Sequence, residues 1–124
     1  MSRTVIAAVD DMFFAAKIRA AADHLGITLR TVRKPELLMN AAREGASLII
    51  INLHAENFDP FALAQTLKAD EQLKLIPLLG FFSHVQAELQ READAAGYDV
   101  VMPRSVFSRD LGQILAGEKG KSLD

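Results

Sequence analysis

No cysteine occurs among the 124 residues. Disulfides, thiolate nucleophiles and cysteine-ligated zinc are therefore excluded, and with them a secreted scaffold held together by disulfides. Glycine and proline are scarce, at 7 and 4 residues, which leaves no room for collagen-like repeats or low-complexity linkers. Nor is there an excess of positive charge. With 14 basic residues against 16 acidic ones the formal net charge is −2, so no field draws the chain to phosphate backbones or anionic lipid, and neither nucleic acid nor a membrane is expected as a partner. Long apolar runs are missing as well. The first one, Val5 to Val9, stops at Asp10-Asp11, too short for a signal-peptide core or for a span of roughly 20 residues. A cytoplasmic location is expected.

Half of the residues are hydrophobic and 24% are charged, the make-up of a folded domain with a core of its own. The length matches one domain of roughly 100 to 150 residues. The sequence predicts a single domain over residues 1–116 and a flexible tail over 117–124.

Val5-Ile6-Ala7-Ala8-Val9 is a continuous apolar run, as expected of a strand covered on both faces in a parallel sheet. From Asp11 to Leu25, Phe14, Ile18, Ala21 and Leu25 recur at helical spacing, and Gly26 supplies a stop. Ile27 to Val32 alternates apolar with polar residues and reads as a strand near the sheet edge. Pro35 opens a second helix that Gly45 closes. Ser47 to Leu53 is the most apolar short run and is expected to be the central strand, with Asn52 at its carboxyl end. Asp59-Pro60 is an N-cap and first-turn pair for a third helix through about Lys68. Leu75 to Phe82 reads as the fourth strand, with Pro77 near its start. Ser83-His84-Val85-Gln86 fits a capping box for a fourth helix that ends at Gly97. Tyr98 to Met102 reads as the fifth strand and Ser108 to Leu115 as a last helix. Strands alternating with helices in this way give an α/β, doubly wound fold: a five-stranded parallel sheet with helices on both faces. Chemistry in such folds collects at the carboxyl ends of the strands. The residues there are Asp10 and Asp11, Asn52 and His54, Ser83 and His84, and Arg104 and Ser105.

That set, in that order, resembles the receiver domain of two-component response regulators, from Thr4 to about Leu115. Asp10-Asp11 matches the acidic pair that holds Mg²⁺ in that family. Ser47-Leu48-Ile49-Ile50-Ile51-Asn52-Leu53 resembles the strand that ends in the phosphoacceptor aspartate, with Asn52 in the acceptor's place. Gly97-Tyr98-Asp99-Val100-Val101-Met102-Pro103-Arg104-Ser105 resembles the family's Gly-Ala-Asp-Asp-Tyr-Leu-x-Lys-Pro, with Arg104 at the lysine and Ser105 at the proline. The resemblance implies the strand order 2-1-3-4-5 and five helices. Arg104 keeps the lysine's positive charge but swaps a compact ammonium for a planar fork, and three further positions depart from the pattern. A carboxamide is a very poor nucleophile, so Asn52 is not expected to accept a phosphoryl group. The place of the family's strand-four Ser or Thr falls on Phe82, one residue short of Ser83, and the switch aromatic on strand five is replaced by Val101. The sequence thus resembles a degenerate pseudo-receiver.

Other chemistries are poorly supplied. Asp10 and Asp11 are the candidate metal ligands, but without a carboxylate at position 52 no metal or cofactor, Mg²⁺ included, is expected. The simpler reading has one aspartate cap the first helix and the other pair with Arg104. His54 and His84 are two loop histidines without cysteine partners, read as bonded to backbone or water. Ser83 lacks the Gly-x-Ser-x-Gly elbow and is assigned to capping, and no phosphate-binding glycine motif follows the first strand, so no enzyme is expected. The phenylalanines read mostly as core; Phe58, in the loop after the third strand, is expected to be buried under the third helix, with covering the acceptor pocket or anchoring a partner as the alternatives. The expected function is a phosphorylation-independent signalling domain that acts by protein–protein contact, with homodimerisation through the helix four, strand five, helix five face. The alternative is a small-molecule or metal-binding sensor using the strand-end pocket, and a third class is an unorthodox hydrolase built on Ser83 and His84.

Overall fold

The five apolar runs become five parallel strands in a computed structural model that describes residues 3–83 and 86–117. They are β1 (Thr4–Ala8), β2 (Thr28–Thr31), β3 (Leu48–Asn52), β4 (Leu78–Phe82) and β5 (Val100–Pro103), in the order β2-β1-β3-β4-β5. The fold class and strand order are those expected. Between the strands lie α1 (Met12–Leu25), α2 (Pro35–Arg43), α3 (Pro60–Ala69) and α4 (Ala87–Ala96), and after β5 come α5 (Arg104–Arg109) and α6 (Leu111–Ala116).

The near-continuous apolar character of β3 follows from its place in the middle of the sheet, because successive side chains point to opposite faces and both faces are covered. Ile49 and Ile51 join a core layer with Leu38, Ala64, Leu67 and Ala93 of α2, α3 and α4. Ile50 joins the other layer with Ile18 of α1, Phe107 of α5 and Ile114 of α6. No polar or charged residue is fully buried among the described residues. At the edge, β2 exposes Thr28 and Thr31 and buries Leu29.

Local chemistry sets most of the helix ends. Asp11 caps α1 and Asp59 caps α3, each side chain accepting two first-turn backbone N–H groups, and Pro35 and Pro60 occupy first-turn positions. α1 ends on Gly26 in the left-handed region, at φ 71°, where a Cβ would be strained.

Several local expectations are corrected. The fourth strand begins at Leu78 and not at Leu75: Asp70 to Ile76 is closed by turn hydrogen bonds and leaves Leu75 87% exposed. The fifth strand begins at Val100, and Tyr98 is buried ahead of it, its hydroxyl donating to the Pro60 carbonyl at 2.8 Å. Ser83 does not cap the fourth helix. The N-cap of α4 is Gln86, which makes no side-chain capping bond, and Ser83 stands too far upstream to reach the first turn. The last helix starts at Arg104, earlier than Ser108, and is broken at Asp110, where φ −101° and ψ 15° leave the helical range. Asp110 closes α5 with its amide to Val106 and opens α6 with its carbonyl to Ile114. Among the described residues the helical segments therefore number six where five were implied. Of the expected tail, Gly117 is the C-cap of α6 at φ 86°, and 118–124 lie outside the described residues.

Candidate functional site

The carboxyl ends of β1, β3, β4 and β5 bring together Asp10, Asp11, Asn52, Ser83 and Arg104, because all strands of a parallel sheet end at the same edge. Asp11 performs both roles expected of the pair. Its Oδ1 accepts from the amides of Phe13 at 2.9 Å and Phe14 at 3.1 Å, and its Oδ2 accepts from Arg104 Nη2 at 3.0 Å. The Phe14 N–H holds the Asp11 carboxyl below its ordinary value of 3.8, and Arg104 adds to the effect. The guanidinium of Arg104 also lies 4.4 Å above the centre of the Phe14 ring, a cation–π contact that fixes its plane. Phe14 in turn leans on Phe81 and Phe107, whose rings stack with centroids 5.0 Å apart.

Asn52 is turned to its own loop. Its Oδ1 accepts from the His54 amide at 2.9 Å, and its Nδ2 donates to Asp10 Oδ1 over a long 3.4 Å. Register confirms its place opposite Phe81 of β4, with Phe82 opposite Pro103. Phe82 is buried in the layer that faces α3 and α4, so an apolar ring fills the position read as the strand-four hydroxyl's, while Ser83 is exposed beyond it. Val101 is half-buried against the same layer.

Asp11 is engaged through both oxygens, the Asn52 oxygen holds a backbone amide, and no group of three His, Asp or Glu side chains stands within reach of one ion among the described residues. His54 is exposed, and His84, on which the paired-histidine and hydrolase readings also depend, lies outside the described residues.

Ser105 and Ser83 border an open hollow with Phe14, Arg104, Lys17 and Ser108, in which Lys17 Nζ donates to Ser108 Oγ. Phe13, expected in the core, stands at the rim of this hollow 90% exposed, beside Met12 at 76%. The signal was present in the spacing: the buried face of α1 runs through Phe14, Ile18 and Ala22, and Phe13 falls off it. Leu25, expected on the same buried face, is 42% exposed. Phe58 is half-buried against the core layer that includes Leu63, Ala64 and Leu67 of α3, in line with the burial expected of it.

No protein-family model matches the sequence, and no curated protein matches it. Solved structures do. The chemotaxis response regulator CheY4 of Vibrio cholerae superposes with a TM-score of 0.81 at 16% identity, covering 95% of this chain and 99% of that one. The phosphorylated cyanobacterial phytochrome response regulator RcpA gives 0.78 at 18% identity, over 94% and 91%. The signal receiver domain of a histidine kinase from Syntrophus aciditrophicus gives 0.76 at 17% identity, over 94% and 92%. With five strands in the same order and nearly the whole chain aligned, the protein has the fold of the response-regulator receiver domains.

Proposed function

We propose that the domain is a cytoplasmic, receiver-like signalling module that works without phosphorylation, through protein–protein contact. The observation that carries this reading is Asn52: at the carboxyl end of the central strand it offers an uncharged carboxamide, bonded to the His54 amide and to Asp10. Phosphoryl transfer needs a carboxylate nucleophile there and a cation to gather charge. Position 52 supplies no carboxylate, Arg104 pairs with Asp11 at 3.0 Å, and the neighbouring hydroxyl position holds the buried Phe82, all of which support the reading. A contact role is supported by the exposed side chains of Met12 and Phe13, of which Phe13 borders the hollow with Lys17 and Arg104, the mixture of aromatic anchor and cation found at binding hot spots. Self-association through α4, β5 and α5 is the companion proposal.

The test is intact mass after incubation with acetyl phosphate and Mg²⁺. No added phosphoryl mass is expected, and one phosphoryl group mapped to Asp10, Asp11 or Asn52 would sink the reading. Light scattering of the wild type and of Phe13→Ser separates the two forms of contact: a dimer that survives Phe13→Ser points to the α4, β5, α5 face.

A further inference from the structure

We propose that the opposite edge of the sheet carries a binding site for a small carboxylate with an apolar body. There, at the amino ends of β3, β4 and β5, a cleft of about 200 Å³ is lined by Leu48, Leu79, Val100 and Ile114, with Arg3 and Asp99 at its rim. It lies beside Gly117, the C-cap of α6. Leu79 and Val100 are cross-strand partners whose side chains belong to the layer under α1, α5 and α6.

The two rim charges are not equivalent. The Asp99 carboxylate is paired, its Oδ2 accepting from Lys68 Nζ at 2.7 Å and from the Leu78 amide at 2.8 Å. Arg3 is held by its Nε, which donates to the Leu115 carbonyl at 2.8 Å. Its guanidinium has no carboxylate within ion-pair distance among the described residues. An anchored guanidinium whose terminal N–H groups have no acceptor among the described residues is suited to a carboxylate, which it can hold through two parallel hydrogen bonds. Size narrows the rest. Drug-sized ligands occupy roughly 300 Å³ or more, whereas an apolar cavity of roughly 150 Å³ holds benzene. A single ring or a short acyl chain bearing one carboxylate therefore fits both the volume and the charge. A phosphate does not, because the wall beyond Arg3 offers apolar groups and no further cation. The site is independent of the strand-end residues and goes beyond the phosphorylation-independent reading.

The experiment is a titration of the full chain with benzoate, benzyl alcohol and inorganic phosphate, followed by methyl NMR. Benzoate at millimolar concentration is expected to shift the methyls of Leu48, Leu79, Val100 and Ile114. Arg3→Met, which keeps the stem and removes the charge, should weaken binding about tenfold or more, and Arg3→Lys should fall between. Leu79→Phe, which fills the cleft from within, should abolish the shifts in a chain that still gives a folded spectrum. The proposal is overturned if benzyl alcohol binds as tightly as benzoate, if phosphate moves the same methyls, if Arg3→Met binds unchanged, or if none of the probes shifts them. Cross-peaks from the Leu123 methyls to Val100 in the free protein would make the chain's own end the occupant, and would overturn it too.

Discussion

Asn52 decides most at the scale of single residues. Replacing it by aspartate keeps the acceptor for the His54 amide but turns the Asp10 contact from a weak donation into a like-charge approach. Asn52→Asp is expected to lower stability by about 1 kcal/mol at neutral pH, and Mg²⁺ should restore part of the loss, because three carboxylates then meet at one edge. Thermal melts with and without Mg²⁺ check this: an equal Mg²⁺ response in the wild type and the variant would mean that these groups do not share a site. Asp11 gives a pH prediction. Its folded-state carboxyl is held below the ordinary 3.8 by the Phe14 amide and by Arg104. The stability this confers is complete above that ordinary value and is lost as pH falls through the lowered folded one. Asp11→Asn keeps the capping oxygen but cannot titrate, so its melting temperature should fall less steeply than the wild type's on acidification below 3.8. Some slope should remain, since the Gln72 amide and Arg43 lower Asp70 in the same way.

At the scale of elements, the capping rules were legible where the sequence put an aspartate directly before a helix, at Asp11 and Asp59. They misled at Ser83. A capping-box pattern is a statement about spacing, and α4 begins at Ala87, past the reach of a serine hydroxyl at 83. The missing side-chain cap is a place to gain stability. Gln86→Asp should add about 1 kcal/mol and raise the melting temperature by roughly 4 °C, whereas a flat response would mean that Gln86 is not the first cap position. Asp110 shows the same limit from the other side. The sequence carries an apolar period across it, but a kink depends on how Leu111, Ile114 and Leu115 seat against α1 and the sheet, a contact that no local period specifies.

For the whole molecule, the two core layers on either face of the sheet are the source of stability, and Phe107 is central to one of them. Its side chain is fully buried, stacks on Phe81 at 5.0 Å and meets Phe14 at 5.5 Å, beneath the ring that supports Arg104. Phe107→Ala should cost about 3–5 kcal/mol, a large share of a domain's total of roughly 5–15. Phe107→Leu, which leaves less of a void, should cost clearly less. Urea titrations give the answer as a shift in midpoint at constant slope. Equal midpoints for the alanine variant and the wild type would show that this layer does not carry the load assigned to it.

The α/β class, the parallel sheet and the grouping of Asp10, Asp11, Asn52 and Arg104 at one edge were determined by the sequence alone, because alternating apolar runs and helical periods leave only right-handed crossovers to connect them. The resemblance to receivers added the strand order. Tertiary structure decided what periodicity cannot carry: that Asp11 both caps α1 and binds Arg104, and that Phe13 faces solvent while Phe14 packs against Phe81 and Phe107. It also decided that Asn52 bonds within its own loop, and that a cleft opens beside Arg3 at the far edge. The physical reason is the same in each case. A pattern along the chain fixes which side of an element is apolar, but the partner of a polar side chain, and the place where cover runs out, depend on residues far apart in sequence that only packing brings together.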